Sequence, residues 1–192
     1  MRTITLLEHI SMDGIIQAPG GPDEDRSGGF THGGWSGRYS DDVLGAALRQ
    51  KMRSSFDLLV GRHTFEIWEP YWPNQTFWPE VNVATKYVAS NTRTSTTWQP
   101  AVFLQGDVAA QVAALKQQPG RDIHVWGSSD FVQTLLAHDL VDSLWLMVYP
   151  LTLGTGKRLF GTGTIPAPFH VVESIATPSG TMVMHYARTR AD

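Results

Sequence analysis

The 192-residue sequence predicts an α/β fold, a mostly parallel central sheet with antiparallel strands at its C-terminal end. Three observations carry this reading. Short apolar, β-branched runs alternate with helical patterns as far as His138. Several of those runs end on Gly or Ser directly before a helix start. Beyond residue 140 only strand-like segments and Gly/Pro turns follow, with no clear helix.

The elements read in order as follows. Residues 2–10 (RTITLLEHI) form an opening strand buried on both faces. The Gly-rich stretch from Ser11 to Arg38, with Pro19 and Pro22, is too long for a plain connector and reads as a flexible lid. A helix is expected over Asp41–Ser54, with Ser40 as N-cap and Asp41 and Asp42 in the first turn; Leu44, Ala47, Leu48 and Met52 form its buried stripe. A strand at 56–60 ends at Gly61, a short helix starts near Thr64, and 68–79, rich in Pro and Trp, reads as an irregular surface excursion. Strands at 84–89 and 101–105 come next, then a helix from Asp107 to about Gln117. A strand at 123–126 is followed by a helix from Gly127-Ser128-Ser129 to about His138. Strands near 142–149, 169–176 and 181–188 complete the chain.

Composition narrows the classes. Apolar residues make up 42% and charged ones 17%, ordinary for a packed α/β protein, and the length suits a single domain over 1–192. A net charge of −3 with scattered cations gives no basic face for nucleic acid. The absence of cysteine excludes disulfides, thiolate catalysis and cysteine-bound zinc. Glu8 and His9 interrupt the first apolar run too early for a signal peptide, and no run approaches a membrane span. A cytoplasmic protein without a membrane partner is expected.

In an open α/β sheet ligands bind beyond the carboxyl ends of the strands, where helix N-termini present free N–H groups. Three strands here end on Gly61-Arg62-His63-Thr64, Gly106-Asp107 and Gly127-Ser128-Ser129-Asp130, and a fourth on Ser90-Asn91. Glycine permits close approach, hydroxyls donate to phosphate, and Arg62 suits bidentate phosphate contact. Such junctions also arise from turn and capping needs alone. Other motifs fail. Gly154-Thr155-Gly156-Lys157-Arg158-Leu159 lacks the third glycine of a dinucleotide fingerprint and the Lys-Ser/Thr pair of a P-loop, and the seven histidines show no metal-ligand spacing.

Gly61-Arg62-His63-Thr64-Phe65-Glu66, continuing to Tyr71-Trp72-Pro73, closely resembles the "GRxTYE…YWP" segment of dihydrofolate-reductase-like proteins, a group that includes the reductase domain of riboflavin biosynthesis. Ser11-Met12-Asp13-Gly14, Lys86 to Ser90, Val125 to Ser128, and Leu140 to Phe160 resemble further segments of that group, in the same order. The resemblance implies a three-layer dihydrofolate-reductase-like fold, NADPH as cofactor, a small heterocyclic substrate and a homodimer. It implies that Arg62 and Ser90 contact the adenosine 2′-phosphate, that Thr64 and the backbone near His63 meet the adjoining phosphates, and that Gly127, Ser128 and Ser129 receive the pyrophosphate. Gly61, Asn91 and Gly106 complete this cofactor rim, and Asp13 is the expected acid beside the nicotinamide. Trp35 followed by Asp41 and Asp42 resembles, loosely, the Trp-to-acid spacing of dihydrofolate reductase proper, though helix capping accounts for both aspartates. Thr152 and Leu153 stand where pyrimidine reductases carry an acidic substrate-binding residue, and Ser143 stands where the group has Glu. Three functions stay open: an NADPH-dependent reductase of unnamed substrate, dihydrofolate reductase proper, and a non-catalytic NADPH-binding protein.

Overall fold

A computed structural model describes residues 1–190. The sheet strands are β1 (Ile4–Ser11), β2 (Phe56–Gly61), β3 (Lys86–Ala89), β4 (Ala101–Leu104), β5 (Asp122–Trp126), β6 (Ser143–Tyr149), β7 (Phe169–Ala176) and β8 (Met182–Arg188). The helices are α1 (Asp42–Met52), α2 (Arg62–Trp68), α3 (Pro79–Val83), α4 (Val108–Gln117) and α5 (Ser129–Ala137). One eight-stranded sheet runs β4-β3-β2-β5-β1-β6-β8-β7. The first six strands in that order are parallel; β8 and β7 add antiparallel. The fold is dihydrofolate-reductase-like, in three layers.

Both sheet faces are covered, as the unbroken apolar runs of β1 and β2 require. Ile4, Leu6, Leu59, Ile123 and Val125 pack with Val112 and Leu115 of α4 and Val132 and Leu135 of α5. Leu7, Leu58 and Val60 pack on the other side with Leu44 and Met52 of α1, Phe65 and Trp78. Burial of each such side chain contributes about 1.5–3 kcal/mol before conformational entropy is counted.

Three expectations need correction. Asp41, not Ser40, is the N-cap of α1: its carboxylate accepts from the Leu44 N–H, because Ser40 makes no side-chain cap bond and Asp41 has the extended backbone a cap needs. The 68–79 stretch is irregular and mostly exposed, as expected, but not wholly a surface feature. Trp78 is buried, with its Nε1 donating to Met52 O at 2.8 Å, and Trp68 and Trp72 pack against it. The 11–38 stretch is a packed wall instead of a free lid. Ile15, Ile16, Ala18, Phe30 and Trp35 are all buried, Trp35 Nε1 donates to Gln17 O at 2.8 Å, and Gln17 Nε2 donates to the carbonyls of Asp25 and Ser27.

The buried ion pairs lie toward the amino-terminal edge of the parallel strands. Arg2 donates to Asp57 at 2.5 Å and to Arg121 O, and Lys116 meets Asp142 at 2.7 Å while donating to Leu140 O. Removing one member of such a pair strands its partner's charge in a poorly solvated place. Asp57→Ala should therefore lower unfolding free energy by about 3–5 kcal/mol in urea denaturation. A loss under 1 kcal/mol would show that Arg2 reaches water.

Candidate active site

The opposite edge carries the candidate site. Register brings the strand ends together: Gly61 of β2 lies opposite Ala89 of β3, and Ala89 opposite Leu104 of β4. Leu7 of β1 lies opposite Trp126 of β5, so Glu8 and His9 continue past the end of β5 beside Gly127. A cavity of about 710 Å³ opens there. It is lined by the 61–64 and 126–131 junctions, Glu8 and His9, the Gln17–Gly20 wall, and Leu48, Trp68 and Trp72. A second hollow of about 510 Å³ adjoins it, lined by Ser90, Asn91, Gly106 and Asp107, and the two share Arg62, Ala89 and Phe131.

The junction geometry depends on close backbone approach. Ser128 Oγ accepts from the Gly61 N–H at 2.7 Å and donates to Thr64 Oγ1 at 2.8 Å. A Cβ on Gly61 would stand 3.0 Å from Ser128 Cβ, so β2 and α5 could not keep this spacing with any other residue. Gly127 has φ +59°, and a Cβ there would also meet Thr64 Oγ1 at 3.1 Å. Because the Ser128 hydroxyl is turned to Gly61 and Thr64, it makes no cap bond to α5. The first-turn amides of α5 thus face the cavity rim without a side-chain partner, the arrangement that takes up anions.

The predicted cofactor residues converge on this groove. Gly61, Arg62, His63, Thr64, Gly127, Ser128 and Ser129 line the larger cavity; Ser90, Asn91 and Gly106 line the smaller. Arg62 is half-exposed between them and donates through Nη1 to Glu66 at 2.8 Å, leaving Nε and Nη2 unengaged among the described residues. Ser90 Oγ accepts from the Arg93 N–H, and Asn91 Oδ1 accepts from the Gly106 N–H at 2.8 Å, which ties β3 to β4.

Asp13, the expected acid, lies outside both cavity linings. Its carboxylate accepts from Ser11 Oγ at 2.6 Å and from the amides of Leu153 and Gly154, so it pins the 153–154 turn to the end of β1. Partial desolvation pushes its pKa up, but these donors together outweigh that and hold it at about 2. Asp41 is equally committed, since it accepts from both the Leu44 and Ser179 amides.

The acid–base groups that do reach the cavity were passed over in the sequence. Glu8 is almost fully buried, and its Oε1 finds no hydrogen-bond partner among the described residues. Burial pushes its carboxyl well above the ordinary 4.5; the Gly127 N–H opposes this and nearby Glu24 adds to it. His9 Nδ1 shares a hydrogen bond with Tyr149 Oη at 2.7 Å, and burial lowers its pKa to about 4. Burial thus disfavours the charged form of both groups, and His9 is neutral at pH 7. The one available signal was a Glu-His pair inside an otherwise apolar strand.

Sheet topology, with a groove along the strand carboxyl ends and a helix N-terminus without a side-chain cap at its rim, defines a dihydrofolate-reductase-like fold. Residues 2–183 match the RibD C-terminal domain, and the chain belongs to that family. It is 34% identical over 110 residues to the uncharacterized protein YyaP of Bacillus subtilis, covering 54% of this chain and 58% of YyaP. It is 28% identical over 106 residues to YwjB of the same organism, covering 54% and 57%. The matched regions thus span a little over half the length of these curated relatives. Three solved structures share the fold. One is a Shewanella sp. PV-4 protein named for riboflavin biosynthesis, with TM-score 0.68, 21% identity and coverage of 98% and 99% of the two chains. Another is a pyrimidine reductase-like protein of Corynebacterium diphtheriae, with TM-score 0.65, 13% identity and coverage of 99% and 93%. The third is Enterococcus faecalis dihydrofolate reductase complexed with NADP(H) and RAB-propyl, with TM-score 0.63, 12% identity and coverage of 98% and 97%.

The state of Glu8 can be tested through stability. An acid whose pKa rises on folding is destabilising above its unfolded value, because the unfolded chain ionises first. Glu8→Gln should raise the melting midpoint at pH 8, with the gain shrinking as pH falls toward 4.5. A pH-independent difference would mean that Glu8 ionises normally in the fold.

Proposed function

We propose that the protein is an NADPH-dependent reductase acting on a small C=N or C=O compound. The observation that carries this reading is the uncapped start of α5 beside Gly127, in a groove that also holds Arg62 and Ser90. The unpartnered Glu8 Oε1 and Trp126 Nε1, both on residues that line the larger cavity, fit a large ligand with several polar groups.

In this reading the amides of Ser129 and Asp130 hold the pyrophosphate, with the helix dipole behind them. The free guanidinium nitrogens of Arg62 and the Ser90 hydroxyl hold the 2′-phosphate across the boundary of the two hollows. When bound, NADPH supplies a hydride to the substrate carbon and leaves as NADP⁺, while the substrate heteroatom takes a proton from solvent. Neutral His9, and Glu8 whose burial disfavours its charged form, line the part of the cavity where the nicotinamide ring would lie. The Gln17–Gly20 wall flanks the same cavity. Asp13 orders the neighbouring turn and leaves proton delivery to other groups.

Arg62→Ala should weaken NADPH binding about 10-fold or more while leaving NADH binding within about 2-fold, as read by calorimetry. Equal affinity of the wild type for both cofactors would remove the 2′-phosphate assignment. NADPH oxidation followed with dihydrofolate separates dihydrofolate reductase proper from the broader reading.

The homodimer belongs to the same proposal. Edge strand β7 leaves Val171 and Val172, each 54% exposed, at a register shift against β8. Light scattering should give twice the chain mass, and a concentration-independent monomer would exclude this pairing.

A further inference from the structure

The larger cavity has two chemically different walls. Its charged lining residues come from β1, the 20s loop, Lys157, and the junctions after β2 and β5. The wall built by α1 and residues 67–78, closed by Trp126, contributes Leu48, Met52, Ile67, Trp68, Trp72, Phe77, Trp78 and Trp126. These rings form one connected cluster: Trp126–Trp68 at 6.2 Å, Trp68–Trp72 at 5.5 Å and Trp72–Phe77 at 5.3 Å between centroids. Tryptophan faces spaced in this way offer stacking area to a flat ring.

Charge makes the wall selective. Arg62 and Lys157 are the lysine and arginine side chains that line the cavity, and each already meets a carboxylate: Glu66 at 2.8 Å and Asp25 at 2.8 Å. Arg62 is further assigned above to the cofactor phosphate. No cation remains on the aromatic side to meet a carboxylate or phosphate of the substrate, and desolvating such an anion without a partner is costly. A polar handle exists in His9. With Nδ1 held by Tyr149, its Nε2 is left as the group that can meet a ligand, 6.3 Å by ring centroids from Trp126.

We propose that the wall of Leu48, Met52, Trp68, Trp72 and Trp126 is a subsite for an uncharged, planar, largely apolar ring whose C=N or C=O group is met by His9. The inference deepens the reductase reading and rests on it for the position of the cofactor. An anionic substrate, dihydrofolate with its carboxylates included, is disfavoured.

Quinazolin-4-one, neutral and planar with both bond types, and 4-oxoquinazoline-2-carboxylate, its anionic counterpart, test the proposal on the intact chain. Quenching of tryptophan fluorescence reads ring binding, and NADPH is titrated in the same samples by calorimetry. At pH 7 the neutral ring should bind about 10-fold or more tightly than the carboxylate. His9→Ala should weaken the neutral ring about 10-fold. Leu48→Arg, at a half-buried position on α1, should reverse the preference toward the carboxylate. Equal or tighter wild-type binding of the carboxylate overturns the proposal, as does NADPH binding with no binding of the neutral ring. Neutral-ring binding without NADPH binding upholds the subsite and removes the cofactor reading instead. An unchanged affinity in His9→Ala overturns the role of His9.

Discussion

Parallel pairing of β2, β5 and β1 sets everything else in this molecule. Because these strands point the same way, with β2 and β5 ending at nearly the same level and β1 running on past them, Gly61, Gly127 and the Glu8-His9 pair arrive at one rim. The Ser128 hydroxyl then bridges Gly61 and Thr64, using the group that would otherwise have capped α5. One side chain thereby fixes two junctions and leaves a helix N-terminus open to a ligand. A side chain at Gly61 would press on Ser128 and Phe131 and force this contact to give.

Charge is divided between the two ends of the parallel strands. Toward the amino-terminal edge, Arg2–Asp57 and Lys116–Asp142 are buried and mutually satisfied, so they lock the sheet and offer nothing to a ligand. At the carboxyl edge burial works against charge on the cavity-lining Glu8 and His9, raising the carboxyl's pKa and lowering the imidazole's to about 4. The proposed reduction would be well served by such a place, since fixed charges beside a nicotinamide would favour one redox state of the ring over the other. Asp13 shows the contrast. Its carboxylate is ionised and fully engaged with backbone amides, which suits a structural tie.

The aromatic segment after α2 has a double role. Trp78 fills the core, whereas Trp68 and Trp72 cover it on one side and face the cavity on the other. The substrate wall is therefore as rigid as the core it rests on, which favours a flat ligand of defined thickness. The 11–38 stretch works in the same way. Its glycines let it fold tightly, but its buried isoleucines, Phe30 and Trp35 make it part of the cavity wall.

Most strand and helix positions were legible from the sequence alone, because apolar periodicity and Gly, Ser and Asp punctuation are local signals. The three strand–Gly–helix junctions and Arg62 were legible for the same reason, and matching them in order pointed to the family. Tertiary structure decided what no local signal carries. It buried Trp78, packed the Gly-rich stretch, gave the capping of α1 to Asp41, and tied the Asp13 carboxylate to the amides of Leu153 and Gly154. It also placed Glu8 and His9 at the innermost end of the site. The physical reason is register: a strand's pattern shows that it is buried, but only its pairing with β5 shows which of its residues extend past the neighbouring strand into open space.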